Sequence, residues 1–524
     1  VTRKKKYIIE DQERLSQSKL WDLQRKYYEK VGVNAWRKRA VPHVITSNVF
    51  IADQYVQLVY AFLRDWESEI DKDHPVYLIE LGTGSGRFSY HFMRRWLDRT
   101  EQFGDLDITF KFLLTDFTES NLKFWKTHPL MKEMVQKGIA DFVLFDATQD
   151  TSLSLVNSGE ILTVDTLVNP IIVVGNYLFD SIPVDIFYTE NNQLSESLVL
   201  LESDYPEDHE LISELLDSIH LSYNNQPIKN DYYDNPIYNQ ILENYRQEFK
   251  KTYFRFPVAS LNCCANLQAL SKNRMMLITA DKGFTSLAAM DLLEPPQIAV
   301  HGSMSMMVNF DAFEQFFTLQ DGRWFKIPFQ PNDIGVHVGV LGSPKSDYSE
   351  TAMTFYDTVT SYGADDYHAL TVALHNHYAD LTISQMLSLL RMSRWDSVLF
   401  EECFESLLMK VQETTDEVRA DVRLALHHVW DNYYFIGEDK DIPFMIGAIL
   451  HNIGSFQEAI ILFNYSLQMH GMDPSTLYNM GMSYLYLGDT NQALGYIGKA
   501  ADSGQFPKAV EAREKILAKL DETK

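Results

Sequence analysis

The spacing of apolar positions divides this chain into three regimes. Across 7–40, charged and aromatic residues alternate at roughly helical spacing with Leu20, Leu23, Tyr27 and Val31 on one side, which predicts an N-terminal helix and then a basic turn at Arg37-Lys38-Arg39. A second stripe, Ala52, Val56, Val59 and Phe62, follows, so 1–75 reads as a helical leader. From residue 76 the pattern changes to short apolar runs, VYLIEL (76–81), ITFKFLLTD (108–116), IADFVLFDA (139–147), NPIIVVGN (169–176) and RMMLITAD (274–281). These lack strict alternation and are separated by candidate helices, as strands buried on both faces of a mostly parallel sheet are. Runs near 297–310 and 335–341 are expected to close the sheet's edge. The sheet domain is therefore placed at 76–350, with an insertion at 184–256.

From 360 to 524 only helical spacing remains, and a repeat runs through about 441–507. Gly447, Gly454, Ala459, Phe463 and Leu467 recur as Gly481, Gly488, Ala493, Ile497 and Ala501, each displaced by 34. Small residues where helices cross, with Pro474 at the unit boundary, fit the tetratricopeptide period, in which each helix pair buries its apolar side by stacking. Earlier helices such as ISQMLSLLRMSRW do not keep that register.

Charge narrows the partners. The formal net charge is −26, unsuited to wrapping nucleic acid. It is uneven: residues 1–40 carry 12 Lys/Arg against 5 Asp/Glu, while 190–243 hold 12 acidic residues and one lysine. A basic leader and an acidic insertion are expected either to flank a protein-substrate cleft or to face one another. Three cysteines (Cys263, Cys264, Cys403) cannot build a disulfide framework, and adjacent Cys263-Cys264 read as packing residues. His375-Asn-His377 and His427-His428 lack metal-site spacing. With no apolar run of spanning length and no signal segment at the given N-terminus, a cytoplasmic protein with no membrane partner is expected.

The strongest chemical signal is Glu80-Leu-Gly82-Thr83-Gly84-Ser-Gly86-Arg87, closing the first sheet strand and opening a helix. Glycines there let backbone approach a ligand. The dinucleotide fingerprint wants G-x-G-x-x-G around a pyrophosphate. A G-x-G-x-G behind a carboxylate suits a ligand bearing ammonium and sulfonium charges better. Later strand ends fit the same ligand: Asp116, with Phe117 beside it, for ribose hydroxyls; Asp146 and Ala147 for an adenine amino group; Asn176 at the crevice where α/β sheets place ligands. Together these predict S-adenosyl-L-methionine as cofactor.

With LWDLQRKYYEKVGVNAW, VPHVITSNVFIADQYVQLV, ELGTGSGR, GNYLFDSIP, LITADKGF and HGSMSMMVNFDAF on the page, the chain resembles the MidA-type protein arginine methyltransferases, whose mitochondrial relatives act in respiratory complex I assembly. The resemblance covers roughly 18–345. It implies a class I methyltransferase fold: an α/β Rossmann-like sheet with an inserted subdomain, here followed by an all-α tetratricopeptide-like domain. By it, Glu80, Gly82, Gly84, Gly86 and Arg87 match the first cofactor loop, Asp116 and Asp146 the following acids, and Asn176, Asp180 and Pro183 the active-site loop. The family pattern has an Asn-Glu pair where this chain has Asn176-Tyr177. A guanidinium acceptor wants a carboxylate partner, so the departure bears on catalysis. The expected roles are Asn176 for positioning, Asp180 as the nearest carboxylate and Tyr177 as a specificity contact. Thr46 and Ser47 are expected either to orient substrate or cofactor or to cap the next helix. The function so implied is methyl transfer to a protein side chain recruited by the helical repeats. The alternatives are a small-molecule methyltransferase and a cofactor-binding scaffold with reduced catalysis.

Overall fold

The computed structural model describes residues 6–37, 44–104, 106–301 and 303–522. Lys38 and Arg39 of the expected basic turn lie outside them. The chain forms two compact units, Val1–His368 and Ala369–Lys524.

The first unit is built on a seven-stranded sheet. Its strands in chain order are β1 (Val76–Leu81), β2 (Phe110–Asp116), β3 (Ala140–Leu144), β4 (Ile171–Asn176), β5 (Met275–Asp281), β6 (Arg323–Phe325) and β7 (Gly335–Leu341). Their spatial order is β3-β2-β1-β4-β5-β7-β6. The pairings from β3 through β5 are parallel, and β7 is antiparallel to both β5 and β6. All residues of β1, β5 and β7 are buried, which explains their continuous apolar runs. The order reverses at β1, flanked by β2 on one side and β4 on the other, so the crevice at the carboxyl ends of β1 and β4 is the topological switch point. This is a Rossmann-like α/β region, and a helical region follows it.

Two expectations about the edges change. The 297–310 run stays outside the large sheet: Ala299–His301 pairs with Ser303–Ser305, and Val308–Asn309 with Gly283–Phe284. Met304 and Met306 are drawn instead into an apolar cluster with Leu20, Leu23 and Tyr27. The N-terminus is not helical from residue 7, because Tyr7–Glu13 forms a bulged strand before helix α1 (Lys19–Val31) begins at the Ser18 cap.

That strand joins a second sheet with Asp185–Glu190, Gln193–Ser203, His220–Pro227 and Lys251–Phe256. The basic leader therefore lies directly on the acidic insertion. Arg14 meets Glu196 at 2.9 Å, Lys19 meets Glu207 at 2.8 Å and Lys6 meets Glu202 at 3.8 Å. Of the two explanations for the charge asymmetry, the structure supports mutual neutralisation, not two banks of an open cleft.

Helix α2 (Val49–Trp66) is capped by Asn48, whose side chain accepts from the Ile51 amide at 2.9 Å, so neither Thr46 nor Ser47 is the cap. Helix α3 (Arg87–Phe103) opens directly after Gly86. The first unit continues past residue 360 because buried Asp365 accepts from the backbone N–H groups of Asn332, Asp333 and Ile334 at 2.9, 2.8 and 3.1 Å. Substituting Asp365→Ala strands those donors. It should lower unfolding free energy by roughly 2–4 kcal/mol in urea titrations; an unchanged midpoint would contradict this account.

The second unit is helical. Ile442–Asn452 packs on Phe456–His470, and Pro474–Tyr486 on Thr490–Asp502, with Pro507–Glu522 following. The repeated glycines divide into two kinds. A Cβ on Gly447 would meet the Phe463 ring at 2.8 Å and one on Gly481 would meet Ile497 Cγ1 at 2.6 Å, so these two mark helix crossings. Gly454 and Gly488 have open surroundings and φ of +86° and +85°: they end helices and do not mark crossings. His375 and His427 find carboxylates that their sequence spacing did not reveal, Glu402 at 3.2 Å and Glu458 at 3.5 Å. Among the described residues no helix is long and apolar enough to cross a membrane.

Candidate functional site

A cavity of about 680 Å³ opens at the switch point. Of the residues singled out in the sequence, Thr46, Ser47, Glu80, Gly82, Thr83, Asp116, Phe117, Asp146, Ala147, Asn176, Tyr177 and Pro183 line it. Gly84, Gly86, Arg87 and Asp180 do not, and each has another task.

The loop after β1 turns through Gly82, Gly84 and Gly86 at φ of +62°, +59° and +82°, a region side chains disfavour. At Gly82 a Cβ would come within 3.0 Å of Leu178 on the cavity wall. At Gly84 it would strike Trp36 at 2.5 Å, and the Gly84 carbonyl accepts from the Trp125 indole at 2.9 Å. Gly84 is thus demanded by an aromatic lid: Trp36 stacks on Tyr28 of α1, their centroids 6.1 Å apart. Gly86 and Arg87 start α3 behind the loop.

Glu80 sits nine-tenths buried at the end of β1. Its Oε2 accepts from the hydroxyls of Ser89 and Thr83. Burial pushes its carboxyl up to about 8, the two hydroxyls oppose this, and nearby Asp116 adds to it. Asp116 is already occupied by its own loop. Oδ1 accepts from the Thr118 amide and hydroxyl, both at 2.9 Å, while Oδ2 accepts from the Gly84 amide at 3.1 Å and Asn121 Nδ2 at 2.9 Å. All four lone-pair directions are in use. A ribose diol would therefore have to replace Thr118 or Asn121 as donor, so Asp116 acts first as the organiser of the glycine loop. Asp146 is also engaged: Oδ1 accepts from the Thr148 amide and hydroxyl at 2.9 and 2.7 Å, and Oδ2 pairs with Arg25 at 2.8 Å.

At the end of β4, Asn176 Oδ1 accepts from the Tyr55 hydroxyl at 2.8 Å, and its Nδ2 is buried without a partner among the described residues. Tyr177 has φ of +47°, unusual for a bulky side chain, and is held there by its amide donating to the Ala280 carbonyl at 3.0 Å. Burial pushes its phenol up.

Asp180, expected as the nearest carboxylate, stands behind the wall. Its amide donates to Asp281 Oδ2 at 3.1 Å, and its Oδ1 accepts from the Ser181 hydroxyl at 2.6 Å. Burial raises both carboxyls, and that of Asp281 is raised further by Asp180 beside it. Ser181, not Asp180, presents this pair to the cavity. Arg25, Trp36, Tyr55, Ser181 and Asp281 all lie within the segments that carry the family resemblance, but sequence reasoning assigned none of them a role, because their parts in the site come from contacts made on folding.

These residues fit S-adenosylmethionine at three points. A buried carboxylate penalised for ionising would be relieved by an ammonium, the Asn176 N–H group lacks an acceptor, and Gly82 admits close approach of a ligand to backbone. Among the described residues no His/Cys/Asp/Glu cluster is arranged to hold a metal.

No family model matches this chain, and no curated protein does. Among solved structures it is similar to an uncharacterised superfamily protein from Burkholderia thailandensis, at 9% identity over 60% of this chain and 81% of that one, TM-score 0.32. It is also similar to a member of that superfamily from the same organism bound to S-adenosyl-homocysteine, at 10% identity over 59% and 80%, TM-score 0.33. A third similarity is to the plantazolicin methyltransferase BpumL in complex with S-adenosyl-homocysteine, at 10% identity over 62% of this chain and 98% of that one, TM-score 0.26.

Proposed function

We propose that this chain is an S-adenosylmethionine-dependent methyltransferase. Glu80 carries the reading. It is a buried carboxylate beside a glycine loop at the switch point, and no basic side chain among the described residues pairs with it. Such a group gains its charge most readily beside a ligand ammonium and would gain none of that help from a pyrophosphate, which separates this site from a dinucleotide site. The cofactor supplies a methyl group on a positively charged sulfur. The chain's own residues then have to hold the acceptor in line and take up a proton. Asn176, fixed by Tyr55, can donate into the cavity, and Ser181 connects the cavity to the Asp180–Asp281 pair.

The acceptor that the cavity supports best is a small molecule or a chain end. Its 680 Å³ lies within the roughly 300–1,000 Å³ of sites for small ligands. The finer reading, a MidA-type enzyme methylating a protein arginine brought in by tetratricopeptide-like repeats, rests on the sequence motifs and the 34-residue period. The test is calorimetric titration with S-adenosylmethionine and S-adenosylhomocysteine, then incubation with labelled cofactor and a size-fractionated lysate. Label in the small fraction supports the first reading, and label on protein supports the second. Binding without transfer leaves a scaffold, while absence of binding removes the proposal.

A further inference from the structure

Asp146 is the acid to which the cofactor reading assigns the adenine amino group, Phe117 lines the same cavity, and a side chain of the chain itself already stands between them. Arg25 projects from α1 with its guanidinium carbon 4.5 Å from the Phe117 ring centroid and Nη1 2.8 Å from Asp146 Oδ2. A guanidinium is flat, delocalised and rimmed with N–H donors. Lying on an aromatic face with one edge toward a carboxylate, it makes the two contacts an adenine would make: stacking through its face and donation from its exocyclic amino group. Asp146 has no second oxygen to offer, because Oδ1 is held by Thr148. The same wall cannot serve both groups.

We infer that Arg25 is an internal occupant of the adenine site that must swing out before an adenine nucleoside can dock, so that it sets the affinity for the cofactor; this rests on the cofactor reading above. The geometry allows the exchange. Arg25 keeps about a third of its side chain exposed, and such a partly exposed pair costs little to break. Its neighbours on α1, Trp21, Gln24 and Tyr28, are anchored independently: Trp21 donates to the Leu15 carbonyl at 2.6 Å and Gln24 to the Met304 carbonyl at 2.8 Å. The arginine can therefore move while its helix stays.

The experiment is titration of the full chain and of Arg25→Ala and Arg25→Lys with S-adenosylhomocysteine and with adenosine, at low and high salt. The alanine variant should bind both ligands about two- to fivefold more tightly, in line with a surface-type pair removed. Lysine, which cannot stack as a plane, should fall between. Salt should strengthen wild-type binding by screening the Arg25–Asp146 pair and should not do so in the alanine variant. Unchanged or weaker binding by Arg25→Ala would overturn the inference, weaker binding meaning that Arg25 grips the ligand. A gain confined to S-adenosylhomocysteine would overturn it too, since the effect would not lie at the adenine. Binding of neither ligand by any of the three proteins would remove the cofactor reading, and the occupant with it.

Discussion

Glu80→Gln is expected to weaken S-adenosylmethionine binding by about 30- to 1,000-fold, the usual cost of truncating one partner of a buried charge pair. The same substitution should leave the fold as stable or more stable. The sign follows from linkage. Glu80 keeps its proton up to about 8 in the folded protein, whereas the unfolded chain releases it near the ordinary glutamate value of 4.5. Between those two values unfolding releases a proton, so wild-type stability is full at the acid end and falls as pH rises through the folded value. Glutamine has no such dependence. The melting temperature of Glu80→Gln should match wild type near pH 4 and exceed it by roughly 5 °C at pH 8.5. Wild-type affinity should climb from pH 6 toward 8 as Glu80 ionises, then decline as the ligand's own amino group, near 7.7–8.0, loses its charge. Binding by the variant equal to wild type would show that this carboxylate is not the cofactor's anchor. A melting temperature lowered together with affinity would give Glu80 a structural role instead.

The parallel strands were legible because a strand buried on both faces is written as an unbroken apolar run, and β1, β4 and β5 each read that way. The closing edge was legible only in part: 335–341 pairs in the sheet as expected, but the outermost strand was not seen. Arg323–Phe325 is three residues long and carries no run, while the methionines of 303–306 look like a strand in sequence and are taken into the α1 cluster. Tyr7–Glu13 was hidden for a related reason: its partner, Gln193–Ser203, lies nearly two hundred residues away, and pairing at that distance leaves no local signature. In the site, residues announced by a turn or a strand end were readable, and twelve of those named line the cavity. What could not be read was which neighbour each acid already serves. Asp116 is committed by Thr118 and Asn121 just after it and by the Gly84 amide from the glycine loop, and Asp146 by Thr148 just after it and by Arg25 from α1, so that one partner of each acid comes from a distant part of the chain. Asp180 was placed one residue too far into the cavity, because its loop turns the Ser181 hydroxyl inward and folds the carboxylate back onto Asp281.

Gly481→Leu should unfold the helical repeats while leaving cofactor affinity where it was. A Cβ at this position would lie 2.6 Å from Ile497 Cγ1 and 3.1 Å from both the Ala493 carbonyl oxygen and the Ile497 amide nitrogen. A side chain can rotate away, but the backbone of Thr490–Asp502 cannot yield without separating the pair. Overpacking of this kind costs roughly 1–3 kcal/mol and more when backbone must shift, so the upper end applies. Gly447 offers the comparison: there the obstruction is the Phe463 ring alone, whose nearest atom is 2.8 Å away, and Gly447→Ala should be absorbed at smaller cost. Ala493, Ile497 and Ala501 are buried in the same helix, so splitting the pair exposes its apolar face. Hydrogen exchange should therefore lose protection across 474–502 in Gly481→Leu and keep it in β1 and β4. Because every residue lining the cavity belongs to the first unit, titration with S-adenosylhomocysteine should give the wild-type affinity. Retained protection across 474–502 would mean that the crossing tolerates a side chain, against the close approach described here. Affinity lost while β1 and β4 stay protected would mean that the repeats help to form the cofactor site, against its assignment to the first unit alone.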